Sequence, residues 1–241
     1  MKALIYKELQ SFFGNIMGYL VIAIFLILTG LNLWVFEGNF NIINSGFADL
    51  KPFFDFSPWI FMFLIPAITM KSFAEEIKQG TIELLLTKPL SHWQIVFGKF
   101  WAATALGIMA IIPTIIYVFT ISQFSNVNTS IDMGSVFGSY LGLFFLIAVF
   151  TSIGIFTSLF TDNQIVAFLV SIFLCFMIYF GFDALATIFS NISSYIAPFG
   201  IDYHYNSISR GVVDTRDLVY FISVIFLFLY LSKLKLNSIT R

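Results

Sequence analysis

Charge is what this sequence has least of. Only 10% of its 241 residues are Asp, Glu, Lys or Arg, with a formal net charge of −1, whereas 59% are hydrophobic and phenylalanine alone fills 32 positions. That balance lies far from a soluble domain, and it offers no basic footprint for nucleic acid, so no nucleic-acid partner is expected. Cysteine is nearly absent. The single Cys175 sits inside an apolar run, which excludes a disulfide framework or thiolate metal cluster and suits a small buried hydrophobe. No G-x-x-x-x-G-K-[ST] occurs, and the only Lys followed by Ser or Thr, Lys71-Ser72, lacks the preceding glycines, so the chain carries no P-loop of its own. No A-x-A-like cleavage site follows the first apolar run, and no cleaved signal peptide is expected.

What is present is a series of runs long enough to cross roughly 30 Å of hydrocarbon at about 20 residues each. Their apolar cores are Gly18–Phe36, Phe56–Met70, Ile95–Ile121, Val136–Phe160, Ile165–Phe182 and Leu218–Leu231. With flanking residues they predict six transmembrane helices at 18–36, 56–73, 92–121, 134–160, 164–182 and 217–232, in a single all-α membrane domain spanning 1–241. Pro66 and Pro113 fall inside spans, where neighbouring helices can satisfy a freed carbonyl.

Charge placement supports the count. With both termini on one side, that side collects Lys2, Lys7, Lys71, Lys78, Lys88, Lys99, Lys233, Lys235 and Arg241, against Lys51, Arg210 and Arg216 on the other. Nine against three follows the positive-inside rule and predicts cytoplasmic termini. His92 and His204 then lie on opposite sides and cannot share a metal, while Asp162 and Asp183 sit at span ends rather than at the bilayer centre, where a proton carrier would be held.

Residues 1–15, MKALIYKELQSFFGN, place Met1, Leu4, Ile5, Leu9, Phe12 and Phe13 along one helical face with Lys2, Lys7, Gln10 and Ser11 mostly opposite, which predicts an amphipathic helix lying in the inner interface. The outer segment 183–216 mixes apolar residues with Ser and Asn and stops at Pro198, which predicts short re-entrant or interfacial helices before the last span. The ridge Gly134-x-x-x-Gly138-x-x-x-Gly142 allows close helix approach, either within one subunit or between two.

The cytoplasmic segment 74–91 is the most unusual stretch. Thr81 reads as an N-cap, IELLLTK as about two helical turns, Pro89 as a stop, and Ser91 with Gln94 as a capping box that starts the third span. Leu84, Leu85 and Leu86 cannot all face one wall of so short a helix. One side rests on lipid or on the bundle, and the other either caps the bundle or meets a partner, with Glu75, Glu76 and Lys78 as a charged rim.

The pattern Glu76, Gly80, Thr81, Ile82, Glu83, Leu84, Leu85, Pro89, Leu90, Ser91 resembles the segment between the second and third spans of ABC-2-type transporter permeases. The resemblance runs along the whole chain; the approach to the last span, with Gly211, Asp214, Asp217, Tyr220 and Phe221, is similar too. Within the family, MKALIYKELQSFFGNIMGYLVIAIFLILTGLNLWVF and SPWIFMFLIPAITMKSFAEEIKQGTIELLLTKPLS look most like the gliding-motility-associated permeases of Bacteroidetes. The resemblance implies a non-enzymatic permease in the bacterial inner membrane, working with an ABC-type ATPase subunit that binds ATP and Mg; no cofactor is expected on this chain itself. It implies an auxiliary membrane subunit with an extracytoplasmic domain. Because six spans cannot form a symmetrical pathway alone, a second permease copy or a related permease is expected. Leu84, Leu85 and Leu90 are expected to fill a groove on the ATPase, Glu76 and Glu83 to bond at its rim, and Gly80 and Pro89 to fix the angle of the short helix. The alternatives are a mechanotransmitting or scaffolding subunit that moves no solute and, further off, a membrane-embedded enzyme.

Overall fold

A computed structural model describes residues 1–42, 49–124 and 132–239. Every regular element among them is helical. In chain order these are α1 (Lys2–Phe13), α2 (Ile16–Trp34), α3 (Lys51–Thr69), α4 (Ala74–Lys78), α5 (Ile82–Leu86), α6 (His92–Ile111), a 3-10 turn at Ile112–Thr114 and α7 (Ile115–Phe124). They continue with α8 (Met133–Ser158), α9 (Gln164–Phe176), a π turn at Met177–Gly181, α10 (Phe182–Ile188), a 3-10 turn at Ser190–Ile192, α11 (Ser193–Ile196), a 3-10 turn at Ala197–Phe199, α12 (Ile201–Ser209) and α13 (Thr215–Ile239).

By length and composition five rods can cross a membrane: Lys51–Lys78, His92–Gln123, Met133–Ser158, Gln164–Ile188 and Thr215–Ile239. A sixth arises if α1 and α2, bent by 66° to one another, are taken as one broken span. The protein is therefore multi-pass. The starts of the rods have local causes. Pro52 suits the first turn of α3, so this helix begins five residues before the expected Phe56. Asp132 Oδ1 accepts from the amides of Gly134 and Ser135 at the head of α8, and Asn163 Oδ1 accepts from Ile165 N at the head of α9. Pro113 lies in the 3-10 turn that joins α6 to α7. The Gln164–Ile188 rod does not stop at Phe182 as expected but runs on through the π turn to Ile188. Hydroxyls within the rods return to their own helix, as Ser57 does to the Phe53 carbonyl at 2.7 Å and Ser232 to Phe228 at 2.7 Å, so an apolar surround costs them little.

The α8 rod is the axis of the bundle, touching α3, α6, α9, α12 and α13. Small residues let its neighbours come close. Methyl groups added at Gly138 and Gly142 would meet the Ile208 carbonyl and the Tyr205 ring of α12, and the Ser135 and Ser139 hydroxyls donate to the Ser209 carbonyl at 2.8 and 3.2 Å. Two of the three ridge glycines thus face α12 within the chain, seating it; a methyl group added at Gly134 would meet only the cap residue Asp132. By contrast α9 and α13 turn outward large apolar side chains such as Leu169, Phe173, Ile222 and Phe226, the surface that hydrocarbon covers.

A second apolar core joins Leu4 of α1, Phe73, Ile82 and Leu85 of the segment after α3, Ile95 of α6 and Leu236 of α13. The first and last helices therefore meet at one end, called here the terminal end. On α1 the polar side chains of Lys2, Lys7, Gln10 and Ser11 are exposed, Leu4 is buried and Ile5, Leu9, Phe12 and Phe13 are half-buried, as the amphipathic pattern requires.

Candidate functional site

At the terminal end the chain leaves α3 through a turn at Met70–Phe73, makes the single turn of α4, and reverses at Gly80. Gly80 has φ +66°, the left-handed region. Its amide donates to the Ile77 carbonyl at 3.1 Å and the Thr81 amide to Glu76 at 2.9 Å, a Schellman closure. The Glu-x-x-x-Gly-Thr spacing is thus a helix stop in which the glycine supplies the backbone sign and the following amide returns to the glutamate carbonyl. Open space surrounds the position where a side chain would sit. Gly80→Ala is therefore expected to cost about 1–2 kcal/mol through backbone conformation alone, with Gly80→Asn recovering part of it, as read by thermal unfolding.

Thr81 does not act as the expected side-chain cap. Its hydroxyl turns back to the Glu76 carbonyl at 3.4 Å, and α5 that follows is one turn rather than two. Lys88 and Pro89 are exposed, and Ser91 closes its box as expected: Ser91 Oγ accepts from Gln94 N at 3.3 Å while Gln94 Oε1 accepts from Ser91 N at 3.0 Å.

The leucines divide. Leu84 is 66% exposed, and Glu83, Thr87 and Lys88 are exposed beside it, whereas Leu85 is 5% exposed and packed with Ile82 in the terminal-end core. Adjacent helical residues point about 100° apart, so Leu84 and Leu85 cannot share a face, and Leu85 follows Ile82 at the i, i+3 spacing. The expectation that Leu84, Leu85 and Leu90 form one outward surface is corrected accordingly: Leu85 belongs to the protein's own core, and Leu90 is half-buried against it.

Glu76 also turns inward. Its Oε1 lies 3.0 Å from Lys99 Nζ, which lies equally close to Glu8 Oε1 and donates to the Ser72 carbonyl at 2.5 Å. The ammonium has three N–H groups and these are its three acceptors. It also stands 4.9 Å from the centre of the Phe73 ring. Lys99 is 2% exposed, and through it α1, the turn after α3, α4 and α6 meet at one point. A lysine so placed is tolerated only because it is paired on every side. This residue was counted in sequence only as one more positive charge on the terminal side. The available signal was its position four residues into the Ile95–Ile121 run, where an ionised group is expensive unless matched.

Sequence 7–232 matches the family described as ABC-2 family transporter protein. This chain belongs to the ABC-2 transporter family. Membership makes it a membrane subunit of an ABC transporter and implies an ABC-type ATPase as partner. No curated protein matches the chain.

The far end of this ABC-2 subunit is held by the residues whose pattern resembled the family's approach to the last span. Gly211, at φ +84°, lies against the Gly134–Ser135 backbone; Asp214 Oδ1 accepts from the Arg216 amide at 2.9 Å; Phe221 is fully buried. Asp217 pairs with His204 at 2.6 Å, and the Tyr220 hydroxyl donates to the Phe199 carbonyl at 2.6 Å while its ring stacks on His204 at 4.0 Å. Tyr205 donates to the Phe54 carbonyl at 2.8 Å, and burial, with Asp55 and Asp202 adding to it, pushes that hydroxyl well above its ordinary pKa, so it remains a donor. Burial likewise raises the Asp202 carboxyl, with Tyr179 and Asn206 working against the shift and Asp183 adding to it. These contacts are structural: they fasten α12 and the turn before α13 to the bundle.

Proposed function

We propose that this chain is the permease half of an ABC-2 assembly in the bacterial inner membrane, with its terminal end cytoplasmic and a separate ATPase engaging segment 74–91. The observation that carries the reading is the two-sidedness of that segment. Outward it presents Glu83, Leu84, Thr87, Lys88 and Pro89; inward it is tied to the body through Ile82, Leu85 and the Glu76–Lys99 pair. A large apolar side chain held out among charged neighbours has the composition of a docking centre with its rim. The inward ties would pass a displacement of the segment to α1 and α6 together. On this reading ATP and Mg belong to the ATPase, Leu84 is the anchor, Glu83 the rim carboxylate, and Gly80 and Pro89 set the direction in which the segment leaves and rejoins the spans. The nine cations assigned to the terminal side support its cytoplasmic placement. The likeness to gliding-motility permeases supports that role, with a second permease and an auxiliary membrane subunit completing the assembly.

The test is Leu84→Asp. It puts a charge on an exposed position without touching either core, so membrane insertion and thermal stability should stay unchanged. Copurification of the ATPase and stimulation of its turnover should fall by at least about tenfold, the effect of losing an interface anchor. Normal binding and stimulation in this variant would remove the coupling assignment and leave the segment as a cap on the bundle. Leu85→Asp is the matching contrast: it should reduce abundance in the membrane, since it places a charge inside the terminal-end core.

A further inference from the structure

The Lys99 cluster sets two carboxylates against one ammonium, so one negative charge is left over. Its place is marked: Glu76 Oε2 is buried and has no hydrogen-bond partner. This residue lines a cleft of about 450 Å³ between α1, the start of α2, the end of α3, α4 and α6. Lys7 and Lys71 line the same cleft, and among the described residues neither is ion-paired with a carboxylate. The buried apolar side chains of Val21, Ile68 and Leu106 also line it. The cleft thus combines the unpartnered Glu76 oxygen, the Lys7 and Lys71 ammonium groups with the Glu75 carboxylate beside them, and an apolar part of the wall.

Each simpler ligand leaves part of this unanswered. A free amine would satisfy Glu76 and leave the lysines; a free phosphate would do the reverse; neither would cover the apolar part of the wall. We propose that the cleft binds phosphatidylethanolamine from the surrounding membrane. The primary ammonium of the headgroup donates to Glu76 Oε2, the phosphodiester lies between Lys7 and Lys71, and the acyl region covers Val21, Ile68 and Leu106. The headgroup chemistry selects the lipid. Phosphatidylcholine carries its charge on a nitrogen with no N–H to donate, and phosphatidylglycerol has no cation. The bound lipid would bridge α1 and α4, the two short elements that Lys99 also ties together. This inference goes beyond the coupling role and does not depend on it, since it needs only that the terminal end meets lipid headgroups.

The experiment is native mass spectrometry of the delipidated full-length chain in detergent, titrated separately with phosphatidylethanolamine, phosphatidylcholine and phosphatidylglycerol. Retention of phosphatidylethanolamine should exceed that of the other two by about tenfold, the worth of one charge-assisted hydrogen bond. Glu76→Gln should abolish that preference. The Lys7→Gln/Lys71→Gln variant alters two residues outside either core and keeps the Lys99 cluster whole, so its fold is secure; it should lower retention of phosphatidylethanolamine and phosphatidylglycerol alike. Equal retention of the three lipids by the parent protein would overturn the proposal. So would equally tight binding of glycerophosphoethanolamine, which would assign the cleft to a soluble amine. A third overturning result is a Glu76→Gln chain that loses the ATPase but keeps its lipid preference, which would assign the free oxygen to a basic side chain of the partner.

Discussion

Lys99→Ala is expected to lower the stability of the protein by about 3–5 kcal/mol, the cost of breaking a buried ion pair from one side. Removing the ammonium leaves Glu8 and Glu76 facing each other with side chains only 15% and 16% exposed, and strips the Ser72 carbonyl of its donor. Mutual repulsion should then lift α1 and α4 from the bundle, which limited proteolysis would read as new cleavage within residues 2–13 and 74–91. Deleting all the charges together should be far milder. Lys99→Met with Glu8→Gln and Glu76→Gln keeps comparable volume and removes the unpaired groups, so most of the lost thermal stability should return. Function should not return with it. On the proposed coupling role, the triple variant keeps the exposed Leu84 for the ATPase but lacks the ionic tie from the segment to α1 and α6; stimulated turnover should stay low while copurification recovers. A Lys99→Ala loss below about 1 kcal/mol, the range of exposed ion pairs, would show that the cluster is not the joint described here.

The parts of this architecture that follow from local rules were legible in the sequence. Apolar runs located the rods, and Ser91 with Gln94 announced the start of α6, because a capping box is satisfied within four residues. The paired Gly80 and Thr81 marked a stop for the same reason, although the Schellman closure, rather than a cap by Thr81, is what they perform. Leu84 and Leu85 were separable in principle from the angle between successive helical residues; treating them as one patch ignored that Ile82 already fixed which side faces inward. Continuation of the Gln164–Ile188 rod through Met177–Gly181 was not legible, because a π turn leaves no signature in hydropathy. Nor were the ties that hold the ends. Lys99 finds partners 23 and 91 residues away, and Tyr205 reaches a carbonyl 151 residues back. Contacts at such separations are set by which rods become neighbours around α8, and nothing in the local pattern of any one rod records that.

At the far end, His204→Ala is expected to cost a comparable amount, about 3–5 kcal/mol, for the same physical reason. Both ring nitrogens of His204 face oxygen acceptors, Asp217 Oδ1 at 2.6 Å and the Pro198 carbonyl at 2.8 Å. A carbonyl can only accept, so Nε2 donates to Pro198, and the short contact between Nδ1 and Asp217 Oδ1 holds a proton between the two side chains. The pair is buried, and Asp217 Oδ2 already lacks a partner, so Asp217 depends on His204 for its principal stabilising contact. Without the ring, Asp217 is a buried carboxyl without a partner at the head of α13, and the Tyr220 stack is lost. The far-end turns from Pro198 to Ser209 should then loosen, giving new protease cleavage between α10 and α12. The His204→Ala/Asp217→Ala double variant removes the stranded carboxyl and should be more stable than His204→Ala alone, the sign that separates a coupled polar pair from simple loss of packing. Because Lys99 and the Leu84 surface stand at the opposite end, ATPase copurification should be unaffected in both variants. If His204→Ala and the double variant unfold at the same temperature, the His204–Asp217 pair is not what holds this end, and packing of the Tyr205 and Phe221 rings must account for it.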